Sequence, residues 1–166
     1  MNQNLTPVHW AKRPIEKYAD FAGRAPRAEY WWYALALIVV YIVVMIVESI
    51  VGINKMVFGV YGPLTLLLAL GTLVPNLAVG VRRLHDTNRS AWWLLLLVPY
   101  LISAFLMVQA MAAGSMAGFG AAGLMGLVGL VCCIIFLVLM VLSGTPGDNR
   151  YGPNPYGVGP SAVPAE

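Results

Sequence analysis

The chain has 166 residues, of which 60% are hydrophobic and only 10% charged, with a mean hydropathy of +0.77. A soluble domain carries roughly 25% charged residues because water must wet its surface, so an ordinary soluble globule is excluded and lipid must cover much of this protein. The net charge of +3 does not point to nucleic acid, because the Lys and Arg lie beside apolar runs, the placement that sets membrane topology. Cys132 and Cys133 are adjacent within an apolar run and cannot form a disulfide framework.

The first thirteen residues, MNQNLTPVHWAKR, have neither an apolar core nor a small-residue cleavage site, so no cleavable leader is expected. Residues 14–21 (PIEKYADF) space Ile15, Tyr18 and Phe21 three apart behind Pro14. Proline suits a first helical turn, and one narrow apolar stripe predicts an amphipathic helix lying in the membrane interface. A helix needs about 20 apolar residues to cross a hydrocarbon core about 30 Å thick. Four stretches qualify: 31–51, 57–81, 91–107 (extendable toward Ala112) and 120–142. The remainder, 144–166, is rich in Pro and Gly and reads as a tail.

Nine of the ten Lys and Arg fall on one side of these spans: Lys12, Arg13, Lys17, Arg24, Arg27, Arg82, Arg83, Arg89 and Arg150, against Lys55 alone on the other. Segments rich in Lys and Arg stay in the cytoplasm, so both ends are expected inside. The expected fold is an all-α integral membrane protein, a four-helix transmembrane bundle preceded by an interfacial amphipathic helix. Its organisation is an N-terminal segment at 1–29, a four-span domain at 30–143 and a cytoplasmic tail at 144–166.

Three polar segments then share the inner side: FAGRAPRAEYWW at 21–32, RRLHDTNRSAWW at 82–93 and GTPGDNRYGPNP at 144–155. Within them the chain resembles the bacterial inner-membrane proteins grouped as domain of unknown function 805, through GRxxRxEYWW at 23–32, RRLHDxxxSxWW at 82–93 and GxNxYGPxP at 147–155. The three motifs in order, with four spans among them, carry the resemblance over about 18–156. It implies a bacterial cytoplasmic membrane and no particular activity.

The residues themselves define a candidate binding cluster: Arg24, Arg27, Glu29, Arg82, Arg83, His85, Asp86, Arg89, Asn149 and Tyr151. Interface anchoring accounts for many of these residue types: Arg82 and Arg83 end a helix where cations meet carbonyls and lipid phosphates, Glu29 suits a first turn, Ser90 suits an N-cap, and Trp31, Trp32, Trp92 and Trp93 suit the headgroup depth. Asp86, Thr87 and Asn88 are turn formers. His85 is not required for a turn, and the functional alternative is an anion site faced by Arg83, His85 and Arg89. Glu29 is expected to pair with Arg82 or Arg83. The tail is expected to fold back, ordered to about Pro155 and disordered over 158–166, placing Asn149 and Tyr151 near His85.

Inside the spans Glu48 is the one ionisable residue, the usual mark of a transport path, but its position predicts a wetted helix end beside Lys55. Asn76 follows Pro75 and serves either a kinked backbone or another helix; Pro99 is expected to bend the third span. In the fourth region Gly114–Gly118 and Ala122–Gly126 have the small-xxx-small spacing that lets helices approach closely, read as internal packing or as self-association. Two histidines apart in sequence and two cysteines deep in a span offer no metal site, and no cofactor is implied. The leading functional reading is a non-enzymatic module binding membrane lipid headgroups or a partner protein. A small transporter or channel component is the alternative, and an enzyme built on His85 the third.

Overall fold

The computed structural model describes residues 6–53 and 62–156. Asn54 and Lys55, the first residues of the 57–81 span and the tail from 157 onward lie outside the described residues. The protein is all-α, with no strand among the described residues.

Helix α1 runs Pro7–Glu16, not 14–21. Thr6 starts it, its hydroxyl accepting from the His9 N–H at 3.4 Å, and Pro7 takes the first-turn position. Proline is favoured there because its missing N–H would be unpaired anyway. Pro14 instead sits buried in the last turn, after which the Lys17 N–H closes on the Arg13 carbonyl at 2.9 Å. Of the expected stripe only Ile15 is helical, although Ile15, Tyr18 and Phe21 are all exposed.

Four longer segments are long and apolar enough to cross a membrane: α2 (Arg27–Val51), α3 (Pro63–Asp86), a 3-10 helix (Ala91–Leu97) running into α4 (Val98–Ala113), and α5 (Met116–Val141). Their flanks carry Ile42, Leu67, Phe105 and Leu127 fully outward, which only a lipid solvent tolerates. The second span reaches one turn further than expected, so Arg82, Arg83, His85 and Asp86 are helical rather than part of a link. Pro99 lies in the first turn of α4, where it breaks no hydrogen bond and need not bend the span.

The chain forms two compact units. One comprises, of the described residues, 6–39, 72–91 and 140–156 and holds an apolar core of Ala25, Tyr33 and Val79 flanked by Tyr30 and Leu37. The other comprises 40–71 and 92–139. In the second unit, Gly114 ends α4 in the left-handed conformation (φ 59°), so Gly114 and Gly118 do not share one helix face. Packing of α5 on α4 uses Gly118, Gly126 and Gly129: an added Cβ at Gly129 would stand 2.9 Å from the Tyr100 backbone. Ser103 donates to the Ala122 carbonyl at 3.0 Å in the same seam. Gly120 and Gly123 have no atom close enough to require a glycine.

Glu48 corrects the expectation of a wetted helix end. Its carboxylate is buried and accepts from the Leu64 N–H at 2.5 Å, the Thr65 N–H at 3.0 Å and the Thr65 hydroxyl at 2.6 Å. These are the unpaired donors of the first turn of α3, and a carboxylate there also meets the positive end of the helix dipole. The approach needs Gly62, since any Cβ there would collide with the Glu48 carboxyl group. Asn76, by contrast, is exposed on α3.

Candidate functional site

The three polar segments meet in the first unit, and Asp86 is their hub. Asp86 ends α3 with its carboxylate buried between two guanidinium groups. Oδ1 accepts from Arg24 Nε at 2.9 Å, and Oδ2 from Arg83 Nη1 at 2.5 Å. Both arginines are buried, so charge-assisted hydrogen bonds offset their desolvation. The backbone carbonyl of Asp86 accepts from the Thr145 N–H at 2.8 Å and from the Thr145 hydroxyl at 3.2 Å. Gly144 is required here because a Cβ would run into the Asp86 carboxylate.

Each arginine also collects backbone carbonyls, Arg83 at the end of α5 and before α2, Arg24 in the chain that follows α5. Arg83 Nε donates to Met140 O at 3.1 Å, its Nη2 donates to Leu142 O, and its Nη1 reaches Ala25 O at 3.4 Å. It thus caps the C-terminus of α5, which ends at Val141. Arg24 donates through Nη2 to Thr145 O at 2.8 Å and through Nη1 to Gly147 O at 2.6 Å. Two guanidiniums therefore tie the segment before α2, the end of α3 and the chain leaving α5 into one knot.

A second buried pair lies on the neighbouring turn of α3. Arg82 Nη1 meets Glu29 Oε1 at 2.5 Å, with both side chains almost entirely buried. Arg13 of α1 approaches the other Glu29 oxygen at 3.7 Å, which attaches the amphipathic helix to the same carboxylate. The backbone follows suit: the Ala25 N–H donates to the Arg82 carbonyl at 2.9 Å.

His85 faces the tail. Its ring stacks on Tyr151 with centroids 3.8 Å apart and planes within 5°, and its Nδ1 lies 3.2 Å from the Gly23 carbonyl oxygen. Arg150 covers the other participant, its guanidinium carbon 4.7 Å from the Tyr151 ring centre, and donates to Asn88 O at 3.1 Å. Asn149 Nδ2 donates to His85 O at 3.0 Å and to the Thr145 hydroxyl at 2.8 Å, while its side-chain Oδ1 accepts from the Tyr151 N–H. Residues 144–156 are thus folded back beneath α3 and placed by side chains, as the turn residues suggested. Loss of the stack should be measurable: Tyr151→Ala should lower the melting midpoint in detergent by a few degrees, at about 0.5–1.5 kcal/mol for the aromatic pair, whereas Tyr151→Phe should melt like wild type.

Of the ten candidates, Arg24, Glu29, Arg82, Arg83, His85, Asp86, Asn149 and Tyr151 are brought together. Arg27 is close by, exposed and on the rim of a cavity. Arg89 stands apart from the cluster: among the described residues its side chain bonds locally, to Thr87 O at 3.4 Å. The anion site read from Arg83, His85 and Arg89 therefore does not form: Arg83 is consumed by Asp86 and three carbonyls, and His85 by Tyr151 and Gly23. What the structure provides instead is a cavity of about 300 Å³ lined by Arg24, Arg27, Asp86, Ser143, Thr145 and Tyr156 among others. Sequence reading missed Arg13, Gly144 and Thr145. Only Gly144 carried a local signal, in its turn-rich GTPG setting.

The family model described as protein of unknown function (DUF805) matches residues 18–153, the stretch that contains the first two segments and all but the last two residues of the third. The chain belongs to the DUF805 family. Among its relatives is inner membrane protein YhaH of Escherichia coli strain K12, 33% identical over 149 residues, covering 89% of this chain and 97% of YhaH. Inner membrane protein YhaI of the same strain is 38% identical over 96 residues, covering 57% of this chain and 75% of YhaI. No solved structure matches this DUF805 chain.

Proposed function

We propose that this DUF805 protein is a non-enzymatic module of the bacterial cytoplasmic membrane that holds anionic lipid headgroups on the platform formed by its three segments. The observation carrying this reading is the charge balance of the platform. Among the described residues Arg13, Arg24, Arg27, Arg82 and Arg83 outnumber the carboxylates Glu29, Asp86 and Asp148 of the same segments, and Asp148 is engaged with the Asn154 N–H. An arginine excess at the ends of membrane-crossing helices attracts anionic headgroups. The Lys and Arg asymmetry favours a cytoplasmic position for that platform, and the inner-membrane relatives support the compartment. Glu48 is engaged in capping α3, which removes the main argument for transport.

The test is mass spectrometry of lipids that survive gentle purification. Phosphatidylglycerol and cardiolipin should be enriched over their share of the host membrane, and recovery at bulk proportions would refute the reading. In whole cells a cysteine at Ser115 should react with an impermeant thiol reagent while one at Asn88 stays protected; labelling at Asn88 would invert the topology.

A further inference from the structure

The cavity rimmed by Arg27 carries the reading one step further. Arg24 is fixed in its wall by Asp86 Oδ1 and the carbonyls of Thr145 and Gly147. Asp86 also faces it, but its carboxylate is held between the guanidiniums of Arg24 and Arg83, so it does not make the cavity acidic. Arg27 is different from its neighbours. It opens α2, it is exposed, and it forms no ion pair among the described residues. Ser143 and Tyr156, each carrying a hydroxyl, also line the cavity. The cavity therefore combines local positive excess, an uncommitted planar fork of donors, hydroxyl donors and the positive end of a 25-residue helix.

We infer that this cavity is a binding site for a phosphate ester, held chiefly by Arg27 against the fixed guanidinium of Arg24. Guanidinium groups pair two donors with two phosphate oxygens, a geometry that a single ammonium cannot supply. A volume of about 300 Å³ is at the small end of ligand pockets, a size suited to a phosphate with a glycerol-sized substituent. This rests on the lipid-platform reading, and it assigns that platform's headgroup contact to one place. The phosphate belongs either to a lipid headgroup or to a small soluble ester.

The experiment uses the full chain in detergent and in nanodiscs, with inorganic phosphate, glycerol 3-phosphate, and phosphatidylglycerol against phosphatidylcholine as probes. Thermal melting should rise with glycerol 3-phosphate or with phosphatidylglycerol, and Arg27→Gln should weaken that response at least tenfold in ligand concentration. Arg89→Gln, a change outside the cavity, should leave the response intact. A response to phosphatidylglycerol alone assigns the site to lipid, and a response to the free esters alone assigns it to a soluble phosphate. No response to any phosphate, or an undiminished one in Arg27→Gln, overturns the inference. Anionic lipid that co-purifies equally with wild type and Arg27→Gln would sink the cavity site while leaving the platform standing. Arg27-dependent binding of free esters without lipid enrichment would do the reverse.

Discussion

Asp86→Ala should melt far below the wild type and be recovered in low yield from detergent. The substitution strands Arg24 and Arg83, both buried and both facing the missing carboxylate. Removing one partner of a buried ion pair typically costs about 3–5 kcal/mol, because the remaining charge is left uncompensated. Here one carboxylate compensates two guanidiniums, so the upper part of that range is expected. The Thr145 contacts use the Asp86 backbone and survive the change, which confines the loss to the side chain. Asp86→Asn separates charge from shape: it keeps an acceptor for one arginine and should fall between alanine and wild type. Melting curves in one detergent decide the matter, and an Asp86→Ala protein within about 1 kcal/mol of wild type would mean that water reaches the knot and screens it.

Glu29→Ala should be nearly as damaging, by a different route. Among the described residues the Arg82 guanidinium has one hydrogen-bonded partner, Glu29, and its Nε and Nη2 are buried without one. Losing the carboxylate leaves a fully buried guanidinium with no counter-charge, again about 3–5 kcal/mol. It also releases Arg13, whose 3.7 Å approach to Glu29 is the ion pair that holds α1. Protease susceptibility near residues 7–17 should therefore rise in Glu29→Ala. The combined replacement Glu29→Met with Arg82→Met should recover most of the melting midpoint, since two apolar side chains of similar bulk carry no desolvation cost, but it should not restore protection of α1. Arg13→Ala alone should expose α1 while leaving the midpoint close to wild type. A double replacement no better than Glu29→Ala would show that packing around the pair, rather than its charge, carries the stability.

The sequence by itself determined the membrane character, the four long helices and the family. Crossing a bilayer is governed by a transfer free energy summed along consecutive residues, so a run such as 31–51 declares itself without knowledge of its neighbours. That Glu29 pairs with Arg82 or Arg83 was also legible, because opposite charges at helix ends on one side of a membrane have few other partners, and the structure selects Arg82. The start of α1 was written in Thr6 and Pro7, but an apolar spacing at Ile15, Tyr18 and Phe21 outweighed that local cap signal.

Tertiary structure alone decided what the arginines do. Arg83 and Arg24 satisfy carbonyls 57 to 123 residues away, and which carbonyls need a donor depends on where α5 ends and how the chain turns after it. Two adjacent residues with the same side chain, Arg82 and Arg83, consequently bind different partners, Glu29 and Asp86. Arg89, equally basic, is left outside. Glu48 shows the same principle in the second unit. Its charge and depth were readable, but its role was fixed by the first turn of α3, whose donors at Leu64 and Thr65 become available only once the chain has returned. Hydrogen-bond partners across a fold are set by the position of every helix end, a three-dimensional fact that no window of consecutive residues contains.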